Sequence, residues 1–148
     1  MAKIASAKRK YNSSASQTGA KLISKYQNAK ALVELGLKIF PLKANSKLPL
    51  NKGWQDEAAP DASPWANGEN HNIGVLCGGG LLVIDIDMKN GVDGEAGWAA
   101  LKMMESPFQV RTPSGGRHIY YSKSKGTLVP NSASKVAKGV DIRAEGGY

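Results

Sequence analysis

Hydrophobic positions along the 148-residue chain fall into short runs whose period changes several times. Over residues 21–35, Leu22, Tyr26, Ala29, Leu32, Val33 and Leu35 recur at a helical spacing, and Gly36 supplies a stop. "LKIFPLK" (37–43) reads as a short strand, which Pro41, lacking an N–H, confines to an edge or an end. Residues 44–71, rich in Pro, Asn, Gly and Ala, read as a long loop with room for a helical turn. "NIGVLCG" (72–78) and "LLVIDID" (81–87) follow as two strands joined by a tight turn at Gly78, Gly79 and Gly80. The stretch 94–106 is helical in pattern, with Trp98, Leu101 and Met104 or Glu105 along one side. "FQVRTP", "RHIYYSK" and "GVDIRAE" are three further strands, the first two joined by a hairpin at Ser114, Gly115 and Gly116. Helix, strands, helix and strands in that order predict an α+β fold around a mostly antiparallel sheet.

Composition narrows the class. An apolar fraction of 41% suits a globular domain over residues 21–148, preceded by a basic, Ser-rich arm over 1–20 that has no apolar period. No apolar run reaches the roughly 18–20 residues of a membrane span, and the first residues lack the apolar core of a secretory signal. The single cysteine, Cys77, excludes a disulfide framework and a CxxC zinc site, so the expected compartment is a reducing cytoplasm, with no membrane partner. Net charge is +8, and the excess is concentrated: residues 1–25 carry six basic residues and no acid, and residues 106–148 carry seven against Asp141 and Glu145. Basic ends around a slightly acidic middle point to a polyanionic partner, nucleic acid first.

Against this background "LLVIDIDMKNG" (81–91) is unusual, because it sets Asp85 and Asp87 into an otherwise apolar strand. Residues two apart in a strand share a face, roughly 6.6–6.8 Å apart at Cα. The two carboxylates therefore project together while Ile84 and Ile86 face a core. Converging carboxylates repel unless a cation lies between them, and Mg²⁺ or Mn²⁺ is the usual one. The alternative is a pair of strand-end aspartates capping the turn at Asn90 and Gly91. In "GVDIRAE" Val140 and Ile142 alternate with Asp141 and Arg143. If this strand lies beside 81–87, Asp141 joins the other two, and three carboxylates can bridge two metals about 3.5–4 Å apart, the arrangement used for in-line phosphoryl displacement.

"RTPSGGRHIYY" (111–121) carries chemistry for anions. Arg111, Ser114, Arg117 and His118 crowd around two glycines whose backbone N–H groups are open, a combination that can hold a triphosphate. The alternative is a plain hairpin with a surface histidine. Three partial motifs lead elsewhere. The triple glycine joins two strands instead of opening a helix, so it is no dinucleotide fingerprint. "DIDMKNG" lacks the Gly-Thr of the DxDGT phosphatases, and a lone DxD of the nucleotide-sugar transferase kind is a weak signal.

Taken in order, "GLKIFPLKANSKLPLNKGW", "NIGVLCGGGLLVIDIDMKNG", "VRTPSGGRHIYY" and "GVDIRAEGGY" resemble the bifunctional primase/polymerase (prim-pol) domain of the archaeo-eukaryotic primase superfamily, over about residues 32–148. The resemblance implies a two-part fold with an RRM-like catalytic sheet and flanking helices. It implies a nucleotidyltransferase that makes or extends primers in plasmid, phage or mobile-element replication. Asp85, Asp87 and Asp141 match the family's metal-binding acids, and Ser114 and His118 its nucleotide-binding motif. Arg143, with Arg111, Arg117, Lys47 and Lys52, would face triphosphate or template. The implied cofactors are two Mg²⁺ or Mn²⁺ ions. The implied partners are single-stranded DNA, nucleoside triphosphates and a replicative helicase, fused or separate. Family members continue past "DIRAEGGY" with a further strand, so an incomplete C-terminal end and an exposed edge along 139–145 are expected here. Two rival readings stand beside this one: a catalytically inert nucleic-acid-binding fragment, and a metal-dependent phosphatase that would leave "TPSGGRH" and "GVDIR" unexplained.

Overall fold

The two faces of one buried strand organise the molecule. The computed structural model describes residues 24–124 and 126–148; the arm over 1–20 and the first residues of the predicted helix lie outside the described residues. Strand β3 (Leu81–Ile86) is the centre of a five-stranded sheet ordered β4-β5-β3-β7-β6, where β4 is Gln109–Arg111, β5 Arg117–Ser122, β6 Ser132–Ala137 and β7 Val140–Arg143. Every neighbouring pair in it is antiparallel. Ile84 and Ile86 share one face with Ile119 and Val140, and that face is closed by Trp98 of α3 (Gly94–Ala100). Ile86, Ile119 and Val140 are completely buried.

The other half of the chain builds a separate small layer. Helix α1 (Lys25–Glu34) starts at a reciprocal capping box, in which Ser24 Oγ accepts from the Gln27 N–H and Gln27 Oε1 accepts from the Ser24 N–H. It packs Ala29, Leu32 and Val33 on the buried Trp65 and on Ile39 of β1 (Ile39–Leu42). Strand β1 forms a two-stranded sheet with β2 (Asn72–Val75), and on its other side it meets isolated bridges at Ala59 and Pro49, with Pro41 accepting from the Leu50 N–H. The predicted loop contains a single turn of helix, α2 (Trp54–Glu57), and a 3₁₀ turn at Ser63–Trp65.

Three predicted features come out differently. The Gly78–Gly80 turn closes on itself through reciprocal Gly78–Leu81 backbone bonds, yet the strands on either side do not pair, because β2 joins β1 and β3 joins the large sheet. The helix expected over 94–106 stops at Ala100. Lys102 is left-handed at φ 50°, which turns Glu105 back to accept from Trp98 Nε1 at 2.7 Å and leaves Met104 85% exposed. The third concerns the expected exposed edge along 139–145. Strand β7 is interior, flanked by β3 and by β6, a strand that the polar "SASKVA" gives little reason to predict.

Where β5 meets β3 the backbones approach too closely for a side chain. A Cβ at Gly116 would lie against the carbonyl oxygen of Ile86, with Thr112 Oγ1 also crowding it. Gly116→Ala is therefore expected to destabilise the fold by about 2–4 kcal/mol in urea unfolding, since the strand backbone opposite has little room to give. A change within about 0.5 kcal/mol of the unaltered protein would contradict this packing.

Candidate active site

The face of the large sheet away from α3 carries the charge. Strand register sets His118 of β5 and Asp141 of β7 directly opposite Asp85 of β3, making a row of three functional groups across three strands. Asp87 follows one step along. One carboxylate oxygen from each of Asp85, Asp87 and Asp141 lies within 4.8 Å of the others. Asp85 and Asp141 are buried, at 6% and 8% exposure, while the Asp87 carboxylate is partly open.

Cations and N–H groups hold this negative cluster. Arg143 Nη2 stands 2.9 Å from Asp141 and 3.4 Å from Asp85. His118 Nε2 is 3.3 Å from Asp85, and Lys89 Nζ is 2.9 Å from Asp87. Strand β6 contributes through its irregular register against β7: Ser134, at φ 49°, donates its backbone N–H to Asp141 Oδ1 at 2.9 Å, and its hydroxyl accepts from the Gly139 N–H. Burial acts to raise the Asp85 pKa, but the hydrogen bond and charge of His118, then Arg143 and Lys47, outweigh it and hold the carboxyl below the usual range.

Beside this cluster lies a cleft of about 400 Å³ between the two sheets. Its charged wall is Asp85, His118 and Arg143, with Lys47 reaching in from the β1–α2 connection; Trp54, Ile73 and Tyr148 belong to the other side. Desolvation raises the Tyr120 hydroxyl to about 12 and the Cys77 thiol to about 11, so both are neutral at pH 7. Cys77 is thus a packing residue and no thiolate nucleophile. Three oxygen donors of like charge suit a hard divalent cation, and the adjacent His118, Arg143 and Lys47 suit a polyphosphate.

The predicted residues divide accordingly. Asp85, Asp87, Asp141, His118 and Arg143 converge, and Lys47 joins them in the cleft. Ser114 is exposed at the hairpin tip, where its hydroxyl lies 3.1 Å from Thr112 Oγ1. Lys52 is exposed and does not line the cleft. Arg117 and Arg111 correct the expectation of an anion cradle. They are register partners on the face opposite His118, because neighbouring residues of a strand alternate sides. Arg117 is committed there: Nε and Nη2 bond Glu95 at 2.7 and 2.8 Å, and Nη1 bonds Glu105 and Gln109. Lys89, Ser134 and the Trp54–Tyr148 pair were missed. Lys89 had a signal, its spacing two residues after Asp87; the others depend on how β6 and the 44–71 segment fold back.

The family model described as "Bifunctional DNA primase/polymerase, N-terminal" matches residues 29–148. No curated protein matches the chain.

Because Arg117 ties α3 to the sheet and stands away from the cleft, Arg117→Met is expected to lower stability by about 1–3 kcal/mol without weakening triphosphate binding. Its hydrogen bond is the main reason that Glu105 lies below the ordinary glutamate range. A carboxyl depressed on folding adds stability above its unfolded value and loses it as pH falls through the folded one. The unaltered protein should therefore lose this contribution below about pH 4.3, and the variant should lack that component in pH-dependent unfolding. Weakened triphosphate binding in a folded Arg117→Met protein would restore Arg117 to the site.

Proposed function

The chain belongs to the bifunctional DNA primase/polymerase N-terminal family, and from that premise we propose that its cleft carries out template-directed nucleotidyl transfer, with Asp85, Asp87 and Asp141 holding two Mg²⁺ or Mn²⁺ ions. The observation that carries this reading is the His118–Asp85–Asp141 row beside a cleft large enough for a nucleotide. The donor set fits such ions. It is all oxygen, it is brought within 4.8 Å, and two of its three members are buried where uncompensated charge is costly. Bound ions would supply charge stabilisation at the reacting phosphate and lower the pKa of the attacking hydroxyl.

The residues of the chain divide the remaining work. His118, Arg143 and Lys47 bind the triphosphate, with Arg143 turning from carboxylate to phosphate as the site fills. Tyr120, neutral and buried beside them, keeps the floor of the cleft dry. Both β3 and β7 are locked by apolar residues on the α3 face, so the carboxylates keep their spacing through the reaction. A net charge of +8 favours single-stranded DNA along the surface, with binding that weakens as salt rises. The products are new or extended primers in the replication of a mobile element.

Asp85→Ala is expected to abolish Mn²⁺-dependent primer synthesis on single-stranded DNA while the protein stays folded. Saturating Mn²⁺ or Mg²⁺ should raise the Tm of the unaltered protein by on the order of 5–10 °C at 100 times Kd, and should not raise that of Asp85→Ala. Full primer synthesis by the variant would sink the assignment. An inert nucleic-acid-binding fragment would bind template but show neither the metal-dependent Tm shift nor synthesis.

A further inference from the structure

The cleft is two-natured. The large sheet lines it with Asp85, His118 and Arg143, whereas the small-sheet side presents the rings of Trp54 and Tyr148. Trp54 stacks on Phe40 of β1 with ring centroids 4.5 Å apart and planes at 25°. Tyr148 meets Trp54 edge-on at 4.7 Å and 66°, and Phe40 at 5.4 Å. Phe40 is sealed at 1% exposure, and its ring is wedged against Gly74, where a Cβ would collide with it. The Tyr148 hydroxyl donates to the Lys47 carbonyl at 2.9 Å, which fixes the ring. Tyr148 is nevertheless 39% exposed, and Trp54 is only partly buried. A rigid, backed, partly open aromatic surface opposite a polyanion site is the shape of a platform for a flat heterocycle.

We propose that Trp54, braced by Phe40 and Tyr148, is the stacking platform for the base of the nucleotide whose triphosphate occupies the charged wall. This inference rests on the reading of the cleft as a nucleotidyl-transfer site. Stacking suits such a site because every base has a π-face, so one platform accepts all four bases without hydrogen-bond readout. The commitment is to the base of a free nucleoside triphosphate. A base of single-stranded DNA would offer the same chemistry, and the test separates the two.

Trp54 can be followed by its own fluorescence, because Trp65 and Trp98 are buried at 0% and 5% exposure in other cores. With Mg²⁺ present, adenosine triphosphate should quench the emission of the full chain, whereas inorganic tripolyphosphate should bind without quenching. By calorimetry, Trp54→Leu should weaken adenosine triphosphate about tenfold and leave tripolyphosphate unchanged. Trp54→Phe, which keeps a ring, should bind the nucleotide nearly as well as the unaltered protein and guards against a fold defect in the leucine variant. Equal weakening of both ligands, an unchanged nucleotide affinity in Trp54→Leu, or quenching by a single-stranded oligonucleotide but not by the nucleotide would each overturn the platform. If neither ligand binds the unaltered protein, the nucleotidyl-transfer reading fails and the platform with it.

Discussion

Asp85 and Asp141 face each other across the β3–β7 pair, and both are buried. Directly opposed residues of an antiparallel pair sit with Cβ atoms about 4.5–5.5 Å apart, and like charges there repel. Most of the local architecture answers that repulsion. Arg143 reaches both carboxylates, His118 stands against Asp85 from β5, and the Ser134 N–H turns in from the irregular part of β6. Lys89 does the same for Asp87 at the open end. A carboxylate cluster held this way is compensated by groups on side chains that can exchange partners. That is a different condition from a closed ion pair, in which removal of either member leaves a buried orphan charge.

The opposite face of the same strands makes the arrangement tolerable. Ile84, Ile86, Ile119 and Val140 interlock under Trp98, so the backbone that presents the acids is pinned by an apolar cluster on the face the acids do not occupy. Period-two alternation is therefore the main structural rule of the site: Ile84, Ile86, Ile119 and Val140 take one face, and Asp85, His118 and Asp141 take the other beside Val83 and Tyr120. Arg117 shows how strict the rule is. It is adjacent to His118 in sequence, yet it lies on the α3 face and serves to tie Glu95 and Glu105 to the sheet.

What could be read from sequence follows the same division. The alternation in "LLVIDID" and "GVDIRAE" is local, so the faces of Asp85, Asp87, Asp141 and Arg143 were legible, and the hairpin at Ser114–Gly116 was legible from its turn residues. The pairing of β3 with β7 was open, since it joins residues nearly sixty positions apart with no local signal. Strand β6 was invisible because its residues, mostly small and largely exposed, show no apolar alternation, and its support for Asp141 comes from a backbone N–H that carries no side-chain signature. Arg111 and Arg117 were misplaced by counting nearness in sequence above the alternation that had already been used for the aspartates. The early end of α3 is accompanied by tertiary contacts that period alone does not reveal: past the left-handed Lys102, Glu105 accepts from Trp98 and Arg117.

The small sheet gives this site its selectivity of environment. Without it the carboxylate row would lie on an open face, where water screens charge. With it, the row stands at the wall of a cleft whose floor is neutral: Tyr120 and Cys77 both keep their protons. The segment 144–148 stitches the two halves, since the Cys77 N–H donates to the Gly147 carbonyl, Asn131 bonds the backbone of Ala144 and Glu145, and Tyr148 closes on Lys47. Displacing that segment would therefore do two things together. It would open the cleft to solvent, and it would loosen the strand end that carries Arg143, whose Nη2 reaches both buried acids. Charge compensation and enclosure are thus joined through the few hydrogen bonds of this segment, backbone at Gly147 and side-chain at Asn131 and Tyr148.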